Sequence, residues 1–326
     1  MGKLTGGILL LFASYSALAA DDKIPAAQEL LNSAGQRTNL FHGRGSPFEL
    51  DVSFTAQIRV PVQGHLTLKW QAQDRWWRNI VAGDFVQTDV RMGDRLYTSR
   101  NLGFTPIRIH ELIGLVEFGT TFDNLRVKKE KQRSEDGVDL LCFRVEGGKT
   151  TKNPEVCLNS VSDDIASYDW QEPPDERRTE RYSDYFDFEG HRFPRKLQLL
   201  VNGIDDVTVN VDRLTTTVFD DSLLVPPKGS IERRQCAGMQ HAIPVKTADP
   251  AYPKSASQNK MMGDTTVAMT ILEDGTVGDI QLIGRATQSM DDATLQTLKG
   301  WKFKPAMCGT EPVVSDIQVE VSFRLD

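Results

Sequence analysis

Four cysteines, five histidines and a Gly-Lys-Thr triplet are the residues of this 326-residue chain whose types could do chemistry. The cysteines are Cys142, Cys157, Cys236 and Cys308. No Cys or His pair has the ligand spacing of a zinc site. The chain opens with a segment that reads as an export signal, and four cysteines in an exported protein favour two disulfides. Cys142 and Cys157 bracket a hairpin around Gly147-Gly148. Cys236 stands just before a compact C-terminal stretch that contains Cys308. Local pairing gives Cys142–Cys157 and Cys236–Cys308, each closure stabilising by about 3–4 kcal/mol on the chain-entropy view. Free buried thiols are the alternative.

The histidines (His42, His65, His110, His191, His241) are scattered, and none sits in a Gly-x-Ser-x-Gly nucleophile motif. His110, among apolar neighbours, reads either as a base or as a hydrogen-bonded structural residue. Gly148-Lys149-Thr150 ends like a phosphate loop, but the first glycine of that motif would stand at Phe143, so the triplet reads as a hairpin turn. Gly43-Arg44-Gly45 is a lone glycine pair in a loop. Asp274-Gly275 is preceded by Ile271 and Leu272 rather than by the acids of a calcium loop. No catalytic residue, cofactor or metal ligand is assigned on this basis. Scattered carboxylates leave a hydrolase with an unrecognised site as a remaining reading. The net charge is -7 with pI near 5.4 and dispersed basic residues, which argues against nucleic acid as a partner.

Residues 1–20 read as a signal peptide. Lys3 is its positive end, Ile8 to Ala13 its apolar core, and Ala17-Leu18-Ala19 a small-x-small site that places cleavage at Ala19 and Ala20. The apolar run is shorter than the roughly 20 residues of a membrane span. The expectation is a periplasmic protein that does not span the membrane, an uncleaved anchor being the alternative. No Cys follows the cleavage site to carry a lipid.

Alternation sets the elements. Residues 24–35 suggest a short helix. Phe48, Leu50, Val52, Phe54, Ala56, Ile58 and Val60 alternate with polar residues over one long strand. Gln63-Gly64 then reads as a turn, followed by strands every eight to twelve residues, as in an antiparallel meander. Pro106 to Phe118 reads as a helix buried against the sheet. Strands are expected again from Val138 to Leu214, with a polar loop at 172–178. Residues 21–225 thus make a large antiparallel, curved sheet or half-barrel with helices on its concave side, and 226–240 make a linker. Together with a smaller C-terminal domain, residues 241–326, the fold class is α+β.

In that last stretch, Thr265 to Leu272 and Val277 to Ile283 alternate around Glu273-Asp274-Gly275, a hairpin turn. Ser289 with Asp292 three on resembles a capping box. Leu295 and Leu298 mark a helix, and Asp316 to Leu325 alternate without a fault. The order is ββαβ. With Tyr252-Pro253 at the start, Gly275 in the hairpin, and Trp301, Phe303 and Pro305 after the helix, residues 240–326 resemble the TonB C-terminal domain family. That resemblance implies a periplasmic module that pairs, by adding a strand, with a short segment of an outer-membrane or other envelope protein. Full-length transducers of that family carry an uncleaved membrane helix and a Pro-rich spacer, and this chain departs from both.

The Phe48–Val60 strand, the Leu66–Trp70 return, Asp74 to Arg78 and the helix at Pro106 resemble the LolA and LolB type of periplasmic fold. Members hold acyl chains on the concave face. Here such a cavity would be lined by Phe54, Ile58, Leu68, Trp70, Trp77, Ile109, Ile113 and Val209. The same residues would equally make a closed core. The leading expectation is a non-enzymatic protein that binds an envelope partner through the TonB-like module, in TonB-linked envelope transport. A lipid or lipoprotein carrier is the alternative.

Overall fold

The computed structural model describes residues 23–325 apart from 42–45, 59, 119–121, 123–124, 148–151, 173–175, 235 and 237. Ala19 and Ala20 with the rest of the signal segment, His42, the Gly43-Arg44-Gly45 loop and the Gly148-Lys149-Thr150 turn lie outside the described residues.

Helix α1 (Lys23–Thr38) leads into a meander of antiparallel strands: β1 (Phe48–Ile58), β2 (Val60–Ala72), β3 (Arg75–Ala82), β4 (Phe85–Met92) and β5 (Arg95–Arg100). After α2 (Ile107–Val116) come β6 (Arg126–Glu135), β7 (Val138–Glu146), β8 (Lys152–Asn159), β9 (Ile165–Glu172), β10 (Glu176–Phe188), β11 (His191–Val201) and β12 (Ile204–Thr216). With β13 (Ile231–Arg234) they form one 13-stranded sheet in the order β13-β5-β4-β3-β2-β1-β12-β11-β10-β9-β8-β7-β6. The sheet curves without closing. Two-residue turns with positive φ at both positions, Asp136-Gly137, Glu189-Gly190 and Asn202-Gly203, reverse three of its hairpins. That is the turn whose twist matches the strands it joins.

The concave face is apolar at its centre. Leu50, Val52, Phe54, Leu68, Val207 and Val209 join Leu31 of α1 and Ile109, Leu112 and Leu115 of α2 in one buried cluster. The helices cover it because each carries an apolar stripe on one side. Toward β3, β4 and β5 the same face turns polar. There Arg78, Gln87, Asp89 and Thr98 are buried.

Four elements differ from expectation. The first strand stops at Ile58, which pairs with Val60, so the chain reverses there and Gly64 lies inside β2. Gly64 marks a close approach rather than a turn: a Cβ there would stand 2.3 Å from the Val81 carbonyl oxygen and 2.4 Å from the Phe54 ring. Strand β6 was not expected at all, because its sequence RVKKEKQRSE has one buried apolar residue, Val127. It is an edge strand, and edge strands carry charge to discourage stray pairing. The segment expected as a linker, 226–240, contributes β13, which pairs with β5 and places Glu232 3.1 Å from Arg95. The polar loop expected at 172–178 is mostly strand, since β9 runs to Glu172 and β10 starts at Glu176.

The C-terminal module follows. It holds β14 (Ile243–Lys246), α3 (Lys254–Gln258), β15 (Gly263–Ile271), β16 (Val277–Gly284), α4 (Gln288–Leu298), β17 (Lys302–Lys304), β18 (Ala306–Cys308), β19 (Glu311–Val313) and β20 (Ser315–Phe323). A three-stranded antiparallel sheet, β16-β15-β20, packs on α4 through Val267, Met269, Ile271, Leu298 and Phe303. Two short pairs add to the expected ββαβ order: β14, ahead of the first strand, pairs with β17, after the helix, and β18 pairs with β19 ahead of the last strand. The helix cap is Thr287, two residues before the expected Ser289: its hydroxyl accepts from the Met290 N–H. Asp291 is buried and accepts from Thr265 Oγ1 and the Ala286 N–H, both at 3.0 Å, which fixes the helix start on β15.

Candidate functional site: a sheet edge and an interdomain cleft

The residues that mark the C-terminal module converge on its hairpin. Gly275 has φ +78°, and a Cβ there would meet the Phe303 carbonyl oxygen at 1.9 Å. Only glycine lets that backbone approach so closely, and the Phe303 N–H donates to the Gly275 carbonyl at 2.8 Å. Pro305 lies against the same glycine. The Trp301 indole N–H donates to the Ala248 carbonyl at 3.0 Å, holding the entering chain. Tyr252 packs edge-on against Phe323 with ring centroids 5.5 Å apart, and its hydroxyl donates to the Met261 carbonyl. Pro253 caps α3. All six motif residues therefore brace the sheet rather than line a pocket of their own.

What they brace is a pair of unequal edges. Strand β20 pairs with β15 in unbroken register from Ser315 to Phe323. Among the described residues no strand pairs with its other side. Asp316, Gln318, Glu320 and Ser322 are exposed along one of its faces. Strand β16, the opposite edge, has two register shifts against β15, and its entry at Thr276 is bridged to Lys302. A straight edge with unpaired backbone groups can accept an extended segment, whereas bulges spoil the ladder.

Both disulfides are present. Cys142 and Cys157 face each other across β7 and β8 and are fully buried. Cys236 and Cys308 join the end of the large sheet to β18, across 72 residues of sequence. The described residues hold one cluster of metal-ligand type, Cys142, Glu155 and Cys157. Its sulfurs are joined to each other and offer no thiolate.

Of the residues expected on the concave face, Phe54, Leu68, Trp70, Ile109 and Val209 belong to the buried cluster, and Ile58 and Ile113 pack against it half-buried. Trp77 does not join them. The register shift between Trp70 and Ala72 sets Trp76 opposite Trp70, their rings stacked 6.3 Å apart, and leaves Trp77 on the other face of β3. Aromatic contacts among Phe41, Phe48 and Trp70 fill this end of the sheet.

A cleft of about 480 Å³ opens elsewhere, where the polar end of the concave face meets the side of the small sheet away from α4. Its floor is a hydrogen-bonded network. Arg78 donates to Asp89 at 2.8 and 3.1 Å and to Glu117 at 2.8 Å. Asp89 also accepts from Gln87 and from Thr98. Burial pushes the Glu117 carboxyl up, against the pull of Arg78. Among the described residues, three ion pairs of one polarity join the two regions. Arg100 donates to Asp279 at 2.8 Å, Arg233 to Asp316 at 2.9 Å, and Arg234 pairs with Glu311. In each, the large sheet supplies the cation and the module the carboxylate. Burial raises the Asp316 carboxyl, but Arg233 and the Thr270 hydroxyl outweigh it and hold the group below its usual range.

His110 of α2 lines this cleft. Burial keeps its imidazole below the ordinary histidine range; Arg78 and Arg100 add to that, and Asp316 and Asp89 oppose it. It is therefore neutral at neutral pH. Sequence reasoning singled out His110, and Ile113 as a concave-face residue, but did not bring them together with the rest of the cleft. Its walls come from β3 to β5, α2, β15, β16 and β20, which no local pattern connects. The weak signal was polar residues on alternate positions of β4, where a core face should be apolar.

Residues 248–325 match the family described as Gram-negative bacterial TonB protein C-terminal. Among solved structures, the Pseudomonas aeruginosa TonB C-terminal domain is 24% identical over 28% of this chain and 97% of that one, with a TM-score of 0.24. A LolA superfamily protein from Nitrosomonas europaea is 12% identical over 61% of this chain and 97% of that one, with a TM-score of 0.40. The Pseudomonas aeruginosa MucA/MucB complex is 10% identical over 91% of this chain and 94% of that one, with a TM-score of 0.28. No curated protein matches the chain.

Proposed function

We propose that this chain is a non-enzymatic periplasmic protein whose C-terminal module takes an extended segment of an envelope protein onto the edge of β20. The observation that carries this is the uninterrupted nine-residue register of β20, with its outer side free of any described strand, in a segment matching the TonB C-terminal family. Main-chain pairing along such an edge gives affinity, and side-chain pockets along it give specificity. Two disulfides suit an oxidising compartment. No helix among the described residues is long and apolar enough to cross a membrane. The buried concave cluster favours this reading over an acyl carrier that uses that face.

Photo-crosslinking in cells tests it. A benzophenone amino acid at Glu320 or Ser322 is expected to form an adduct with one peptide of an envelope protein, in protein whose mature N-terminus lies near residue 20. Adducts from Gln281 of β16 but none from β20 would overturn the edge assignment. Recovery of the intact Met1 form from the envelope would overturn export with cleavage.

A further inference from the structure

The interdomain cleft has features of a ligand site that the strand-pairing reading does not use. Its volume falls within the ordinary range of small-molecule pockets. Apolar side chains stand on both walls, with Phe104, Ile107 and Ile113 from the large region and Ala268 and Ile283 from the module. Three guanidinium groups and three carboxylates line it: Arg78, Arg100, Arg233, Asp89, Asp279 and Asp316. Each is already paired with another: Arg78 with Asp89, Arg100 with Asp279, and Arg233 with Asp316. A charged ligand would have to break one of these pairs or be buried without one, which is costly. An uncharged ligand pays neither cost.

One donor is left over. Arg100 has a side chain only 9% exposed, and its Nε is buried without an acceptor. Its other nitrogens are held by Thr105, Gly103 and Asp279, so the guanidinium cannot swing away to find water. Burial without an acceptor costs free energy, and a small opening of the cleft wall that let a ligand oxygen reach Nε would recover it. His110 adds a second polar group on the same lining.

We propose that the cleft binds a small uncharged amphiphile: an apolar body between Ile107 and Ile113 on one wall and Ile283 on the other, and a carbonyl or hydroxyl oxygen accepting from Arg100 Nε. The site is separate from the outer edge of β20, and the proposal does not rest on strand pairing there.

The full mature chain can be titrated with N-phenyl-1-naphthylamine, an uncharged fluorophore that brightens in apolar surroundings. Octanamide, octanoate and octylamine then compete for it. They share a tail and differ in head-group charge. The expected result is that octanamide displaces the dye at least tenfold more effectively than either charged analogue. Ile283→Glu and Ile107→Glu, one from each wall, are expected to weaken dye binding at least tenfold with the circular dichroism spectrum retained. Arg100→Lys keeps the cation for Asp279 but removes Nε. It is expected to weaken octanamide several-fold while leaving the dye, which needs no donor, within twofold. Dye binding unchanged in both glutamate variants would place the site elsewhere and overturn the proposal. Equal competition by the three heads, or by octanamide in wild type and Arg100→Lys, would overturn the chemistry assigned to it.

Discussion

The large sheet and the small one use the same device, alternating side chains on antiparallel strands, to opposite ends. In the 13-stranded sheet the inward residues meet one another and the two helices, and the β6 edge is guarded. On β6, Gln28 of α1 accepts from the Val127 N–H at 2.7 Å and donates to the Leu125 carbonyl at 2.9 Å, taking the place of a neighbouring strand, while lysines and arginines line the rest. In the module, α4 covers one face of a sheet only three strands wide, and β20 runs its full length with no described strand on its outer side. A region that satisfies its own backbone is a scaffold. One that leaves a straight edge is available to a partner.

The comparison also predicts where each region is fragile. The module has the smaller core, with five residues in its main buried cluster, and small cores lean on covalent closure. Replacing Cys236 and Cys308 together by serine is expected to cost about 4 kcal/mol, the loop-closure value for so long a span. Equilibrium denaturation followed by circular dichroism of the full chain measures it. The comparison breaks if this pair costs less than the Cys142–Cys157 pair, which closes only 15 residues and is expected to contribute about 3 kcal/mol.

For the large sheet the sensitive positions lie in its filled concave face. Leu68 is 1% exposed, between Leu50 on β1 and Arg78 on β3. Leu68→Ala removes a side chain that the surrounding strands cannot collapse to replace, and is expected to cost about 3 kcal/mol. Chemical denaturation of the purified variant checks it. A cost under 1 kcal/mol would mean that the concave face is loosely filled and would reopen the acyl-carrier reading.

What could be read from the sequence follows the same division. Where alternation is apolar on one side, as from Phe48 to Ile58 or Ile317 to Phe323, the strands were legible because burial writes a period of two into the residues. Where structure depends on something other than burial, it was not. Strand β6 is held by its pairing with β7 and carries almost no apolar signal. Gly64 looks like a turn until the Phe54 ring is seen above it. Trp77 took the wrong face because a bulge one strand away shifted the parity. The module's hairpin, helix and last strand were legible as one unit because turn, cap region and alternation agree. The cleft was invisible, since Arg100, His110, Asp279 and Asp316 come together only when the two regions dock.

That docking carries the smallest expected effect and the sharpest test of whether the two regions act as one. Asp316 sits half-exposed at the start of β20, bound by Arg233 and by the Thr270 hydroxyl. Its carboxyl is held below the usual range despite the opposing effect of burial. A group whose pKa is lower in the folded state stabilises fully above the unfolded value, near 3.8, and loses that contribution as pH falls through the folded one. The wild-type chain should therefore lose stability below about pH 4 more steeply than Asp316→Asn, whose profile should be flatter in that window. Because the pair is solvent-accessible, the difference should stay within about 1 kcal/mol and shrink in about 1 M salt. Thermal unfolding across pH at low and high salt measures it. If the two profiles coincide, the Arg233–Asp316 pair does not hold the module in place, and the Cys236–Cys308 bridge with the Arg100–Asp279 and Arg234–Glu311 pairs is left to tie it to the large sheet.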